Sequence, residues 1–417
     1  MTHSFLGESS ILSLSMPGPS RDPTYYISDG NSVFLVENTL FKVHRSTLMK
    51  DKSAFETMFQ LSSETDSSRS DMSATQSTEG DADENPIRLQ GDTADEFRAL
   101  LWSLYALPHE LVTALTPEAD ITPMYNLARI ANKYQFRSLE SWALSSLYTY
   151  FSRPGAFDNI LTTHPPVPPS QPSIPGISLP HPYPSPSITP TSTSHLPPSL
   201  VQLTELSALC ERFDLLDLTL YRWRHLIGES NSKDLALAID VGERFNLRSI
   251  TGLAYHGLLL KGKTHWDALS FSCTTTTTTS PSSSSDVPLL TRERRIRLIT
   301  GYYSLCKLWD TLPTTPPPLA HTSKCTSQTR CTKAFTTLWR TALESWSTQP
   351  FLQFQREDVL GKVMWTESQM AAFVEGRVNP HGALDEVWQC KENVLAVMSL
   401  RFKEIKEGLA DHFVDDF

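Results

Sequence analysis

The chain has 417 residues, 39% of them apolar, which is room and material for two or three ordinary cores and argues against a single domain. A formal net charge of −10 and a pI of 5.7 disfavour sequence-independent nucleic-acid binding, which needs a basic surface to release counterions from phosphates. No run of about 18 apolar residues occurs, the start lacks a basic lead, and six cysteines are too few for a disulfide framework, so a soluble, intracellular protein of the cytoplasm or nucleus is expected, with no membrane partner.

Residues 1–24 are read as a disordered start. Across residues 29–59 the pattern tightens. Val33, Leu35 and Glu37 alternate with Phe34 and Val36 in a β-branched and aromatic run. Glu37-Asn38-Thr39 supplies a turn, and Leu40, Phe41, Lys42 and Val43 begin a second strand, completing a hairpin. The period then becomes helical through Val43, Leu48 and Met49 and again through Phe55, Met58 and Phe59, with Ser53 placed to cap the second helix through its hydroxyl.

This order of strand, strand, His-Arg-x-x-Leu helix and a helix ending in Phe-x-x-Met-Phe resembles the BTB (POZ) domain, particularly as it occurs in fungal BTB-domain proteins. His44, Leu48, Phe55, Met58 and Phe59 stand at that family's His, Leu, Phe and Met-Phe landmarks, and Asp29 at the acidic residue before its first strand. The resemblance implies an α+β domain over residues 25–151, with its next strand at 86–89. A helix then starts at Thr93 and carries Phe97, Leu100, Leu101, Leu104 and Tyr105. A Ser/Thr/Asp/Glu-rich insertion at 62–84 interrupts it. The family commonly homodimerises through its first helices and N-terminal segment. A physical argument points the same way: Leu48, Met49, Phe55, Met58 and Phe59 on two short helices are more apolar surface than one small core is expected to hide. Asp29, His44 and these five residues are therefore the expected interaction positions, with His44 paired to Asp29 or donating to a backbone carbonyl.

Three segments lack the means to build a core: 62–84, the Pro/Ser/Thr tract at 163–199, and 274–286 with its threonine run. The second, within a linker assigned to 152–199, is expected to be an extended spacer. Flanking these tracts is a threefold pattern of helix, tight turn, helix. Aligning the stretches from Leu127, Leu206 and Ala236 brings Tyr134, Phe213 and Phe245 together, then Phe136, Leu215 and Leu247, with Ser138, Asp217 and Ser249 as caps of each second helix. One such pair cannot bury its own stripe, so neighbouring pairs must pack. The first copy ends the BTB resemblance. The other two, in residues 200–268, resemble the BACK extension that often follows BTB domains. A low-complexity linker at 269–287 leads to an all-α region over 288–417, with helices expected at 289–312, 330–346, 351–375 and 384–413. Ile296, Ile299, Tyr303 and Cys306 form one apolar stripe there, Arg292, Arg294, Arg295 and Arg297 a solvated face, and Trp309, Trp339, Trp346, Trp365 and Trp388 a small core.

Residues 257–264, Gly-Leu-Leu-Leu-Lys-Gly-Lys-Thr, satisfy the phosphate-loop spelling letter for letter. Taken literally they give the alternative reading of a nucleotide-binding enzyme or switch. A phosphate loop must follow a strand and open a helix, whereas Leu258, Leu259 and Leu260 continue a helical face here, with Gly262 as its stop and Lys263 complementing its C-terminus. His321, Cys306, Cys325 and Cys331 offer zinc-type donors, but a five-residue gap exceeds the usual two to four, and they are read as core and loop residues. No catalytic residue, cofactor or metal is expected, and the chain is read as a protein-interaction module, not an enzyme. The resemblance also permits a substrate adaptor of a cullin-based ubiquitin ligase. The family's cullin signature is hydrophobic-x-Glu, and Leu107-Pro108-His109-Glu110 is one residue longer. A BTB transcriptional co-regulator without DNA contact shares the fold and differs in partner.

Overall fold

The computed structural model of the chain describes residues 18–67, 79–116, 119–158, 160, 198–229, 231–270, 290–348, 353–374 and 390–414. It is mixed α+β, with one four-stranded sheet and helices thereafter, and divides into two compact units, Met1–Leu218 and Thr219–Phe417. Among the described residues no helix is long and apolar enough to cross a membrane.

In the first unit, β1 (Ser20–Tyr26), β2 (Ser32–Val36) and β3 (Thr39–Val43) precede α1 (Arg45–Leu48) and α2 (Ala54–Ser67). β4 (Ile87–Leu89), α3 (Ala94–Tyr105), α4 (Pro108–Thr113), α5 (Thr122–Lys133), α6 (Arg137–Phe151) and α7 (Leu200–Leu209) follow, and the division falls inside α8 (Phe213–Glu229). The expected hairpin is present: β2 pairs antiparallel with β3, Val36 opposite Thr39, around Glu37 at φ 53°. β1 and β4 add in parallel on either side, giving the order β1-β3-β2-β4. β1 begins within the stretch read as disordered. Pro23 and a register shift between Arg21 and Tyr26 hide it from pattern reading, and an edge strand tolerates both. What holds it is polar: buried Asp22 accepts from Arg98 at 2.7 Å and from the N–H groups of Thr24 and Tyr25.

The inner face of the hairpin carries Phe34, Val36, Phe41 and Val43, packed on α2, α3, α5 and α6. Phe34 meets Phe55 edge-on at 5.8 Å and Phe41 meets Phe97 at 5.0 Å, the arrangement aromatic quadrupoles favour. Two parts of the 62–84 insertion are ordered. α2 continues to Ser67, and residues 79–84 dock through the Gly80 carbonyl on Val33 N–H (2.7 Å), Asp81 on Arg45 and Asp83 on Arg21. Residues 68–78 lie outside the described residues, as do 161–197 of the proline tract and 271–289. Ser199, last residue of that tract, caps α7 in a capping box with Gln202.

The threefold pattern becomes α5–α6, α7–α8 and, in the second unit, α9 (Ser232–Arg244) with α10 (Arg248–Lys261). Each turn places one residue in the left-handed region: Gln135, Glu211 and Asn246. The next N–H then bonds back to the first helix, Phe136 to Ala131, Arg212 to Ser207 and Leu247 to Gly242, at 2.8, 2.9 and 2.8 Å. These turns correct the sequence alignment: the second copy sits three residues earlier, and Phe213 is 71% exposed at the start of α8. They also replace the expected caps. Phe136 and Leu247 precede α6 and α10 without side-chain caps, and Ser138 bonds to Asp51 instead.

The second unit continues with α11 (Lys263–Ser270), α12 (Arg292–Thr311), α13 (Gln328–Glu344), α14 (Val359–Val374), α15 (Lys391–Glu407) and a 3-10 turn, Gly408–His412. α12 is rotated from its expected setting. Ile296, Ile299 and Tyr303 are exposed, while Leu298, Leu305 and Trp309 are buried. Of the four arginines only Arg292 is exposed as expected: Arg294 bridges Asp240 and Glu243, Arg297 reaches Glu243 and Arg295 reaches Asp267. These pairs join α12 to α9 and α11, while its buried stripe is made by Leu298, Leu305 and Trp309. Trp339 is fully buried with its N–H on the Leu312 carbonyl, and Trp365 donates to Ser345. Trp388 and the Trp346 side chain lie outside the described residues.

Candidate functional site

The expected interaction positions separate into two groups. Leu48, Phe55 and Phe59 are core residues, and Met49 and Met58 pack half-buried against them. The unit therefore hides more apolar surface than expected, because α5 and α6 close over the short helices; Phe55 stacks on Tyr134 at 4.5 Å. His44 and Asp29 remain at the surface. His44 Nε2 lies 3.4 Å from Asp29 and its Nδ1 lies 3.0 Å from the Tyr105 hydroxyl, which also accepts from His44 N–H. The expected pairing with Asp29 is present, and Tyr105 stands where a backbone carbonyl was the alternative. Ser53 precedes α2, and its hydroxyl donates back to the Leu48 carbonyl.

The accessible apolar surface of this unit lies elsewhere. α4 is entered through Pro108 and carries Leu107 on its N-terminal side, Val112 on its body and Leu115 just beyond, all exposed. Two shallow grooves lie just past its C-terminal end, of ≈ 220 Å³ beside Leu115 and Trp142 and ≈ 290 Å³ beside Trp102 and Met124, with Ala114 common to both. Trp102 and Trp142 stack at 6.2 Å beneath them. Glu110 is not free to meet a partner as an extended acidic residue, since its carboxylate accepts from Leu107 N–H at 2.7 Å. The sequence offered only Leu107-Pro108-His109-Glu110 here, one residue longer than the cullin signature; the exposed Val112 and Leu115 carry no distinguishing period.

In the second unit, residues 257–261 end α10, Gly262 turns the chain at φ 81°, and Lys263 and Thr264 open α11. Leu258 and Leu259 are buried, and a helix, not a strand, precedes the glycine. Backbone donors spent within α10 cannot cradle phosphate oxygens.

The same unit gathers two groups of titratable side chains. His256 is buried, and its Nε2, 3.7 Å from Asp358, makes no hydrogen bond; burial pushes its pKa down while Asp358 and a backbone hydrogen bond with Glu357 oppose. Lys362, also buried, donates to the Arg356 carbonyl at 2.6 Å and sits over Trp309, and burial lowers its pKa too. The second group is His321, Cys325, Cys331 and Cys390, whose donor atoms all lie within 4.8 Å of one another. Three of the four are residues the sequence offered as donors. Cys306 belongs to α12, and Cys390 at the start of α15 takes its place; no local spacing could reveal a residue so distant along the chain. Burial and the neighbouring Cys390 push the Cys331 thiol up. Burial acts the same way on Cys390, yet donors from Thr322 N–H and His321 bring that thiol below its ordinary value. Comparison with protein-family models, with curated proteins and with solved structures finds no match to this chain.

Proposed function

We propose that the chain is a BTB-type protein-interaction protein whose N-terminal unit self-associates and docks a second protein through the face around α4. The observation that carries this reading is the run of exposed Leu107, Val112 and Leu115, which ends where two apolar grooves share Ala114. Each groove is smaller than the roughly 300–1,000 Å³ of small-molecule pockets, a size that suits single side chains of a protein partner. In support, the β2–β3 hairpin is followed by short helices, a further strand and paired helices, the order the BTB resemblance implies from residue 29 on. The N-terminal segment, as edge strand β1, leaves one side of its backbone open to a second copy.

A cullin N-terminal domain is the partner class to test first, and its capture would make the chain a substrate adaptor. The test is a pull-down with the intact chain and with Val112→Asp. An exposed position keeps the stability change within about 0.5 kcal/mol. Retained melting temperature with lost capture supports docking at α4, and unchanged capture removes α4 from the interface.

A further inference from the structure

We propose that His321, Cys325, Cys331 and Cys390 bind one zinc ion as a closed, structural site in the C-terminal unit. Zinc prefers four thiolate and imidazole ligands in a tetrahedron, with Zn–S about 2.3 Å and Zn–N about 2.0 Å. Those bond lengths set tetrahedral edges of about 3.6 Å between sulfur and nitrogen and about 3.8 Å between sulfurs. His321 Nδ1 stands 3.6 Å from Cys325 Sγ and 3.7 Å from Cys390 Sγ, so two edges already have the required length. The remaining donors fall within 4.8 Å, close enough for one ion to gather them by rotamer adjustment. A disulfide needs sulfurs about 2.0 Å apart and would consume two thiols while leaving the imidazole unused. Sulfur-rich tetrahedral sites select zinc over the harder divalent ions.

The imidazole is set for metal. Thr332 Oγ1 donates to the Gln328 carbonyl at 2.9 Å, which spends its one proton. In the tautomer with its proton on Nε2, His321 donates to that oxygen, 3.1 Å away, and turns the Nδ1 lone pair to the ion. Holding the distal N–H in this way is how metal-binding histidines are oriented. Cys331 lies in the first turn of α13 and Cys390 is the N-cap residue of α15, so the site joins the N-terminal ends of two 17-residue helices. Binding releases three thiol protons to solvent and forms four bonds to the ion. All positions are filled by the protein, so the centre is structural, with no site left for water. It fastens the segment before α13 to the start of α15, where Asn393 already bonds to the Ala320 carbonyl at 2.8 Å.

The test is metal content of the intact chain, purified with reductant after growth in zinc-supplemented medium and measured by inductively coupled plasma mass spectrometry. One zinc per chain is expected for the wild type and for Cys306→Ser, with loss in Cys390→Ser and His321→Ala. Should these variants fail to fold, the wild type stripped and refilled with Co2+ is expected to show intense sulfur-to-cobalt charge transfer and tetrahedral ligand-field bands, erased by Zn2+. Three results would overturn the proposal: a zinc-free wild type without the cobalt spectrum, zinc retained at full occupancy by Cys390→Ser, or a disulfide among the three cysteines in the freshly alkylated chain.

Discussion

Single residues show where apolar pattern and polar chemistry part ways. Leu48, Phe55 and Phe59 were legible as apolar landmarks, and the structure makes them core. Their number alone does not reveal how much of them α5 and α6 cover. Asp22 and Arg98 were not legible, because an ion pair between a buried strand carboxylate and a partly exposed helix arginine has no spacing signature. His256 gives a prediction at this scale. Burial holds its folded pKa below the ordinary 6.5, and His412 is shifted the same way by burial. A depressed histidine contributes stability that is complete above its unfolded pKa and is lost as pH falls toward the folded value, at up to about 1.4 kcal/mol per pH unit for each group. Urea unfolding at about pH 7.5 and about pH 5.5 is therefore expected to show a larger loss for the wild type than for His256→Gln. Equal losses would place the titration elsewhere.

Elements were easier to read than their rotation or register. The hairpin, α3, α12 and α13 fall close to their expected places because periodicity and turn residues act locally, whereas α14 begins at Val359, eight residues later than expected. The slip of the second helical pair has a physical cause: its turn is made by Glu211 in the left-handed region, a role usually signalled by glycine or asparagine. The rotation of α12 was hidden because arginines read as solvent-facing while Asp240 and Glu243 draw them inward. The docking of the C-terminal turn was equally silent in sequence. There Gly252 faces the backbone of Ala410, where an added Cβ would stand 2.6 Å from the amide nitrogen, and Tyr255 stacks on Phe413 at 5.0 Å. Gly252→Ala is expected to destabilise the second unit by about 1–3 kcal/mol, since backbone cannot step aside as a flexible side chain can. A urea midpoint unchanged by this substitution would show that the turn does not rest on α10.

At the scale of the whole molecule, composition foretold more than one core, and two compact units are present. What composition could not foretell is which distant residues meet. Cys390 joins His321, Cys325 and Cys331 through the folding of α13, α14 and α15, and Leu107, Val112 and Leu115 are left exposed along the short α4 that follows α3. Interaction by the first unit is the central claim, and self-association is its most direct consequence. Sedimentation velocity of the intact chain at micromolar concentration, with reductant, tests it. The account predicts a species of twice the chain mass or more, dissociating on dilution, whereas a monomer at every concentration would contradict it.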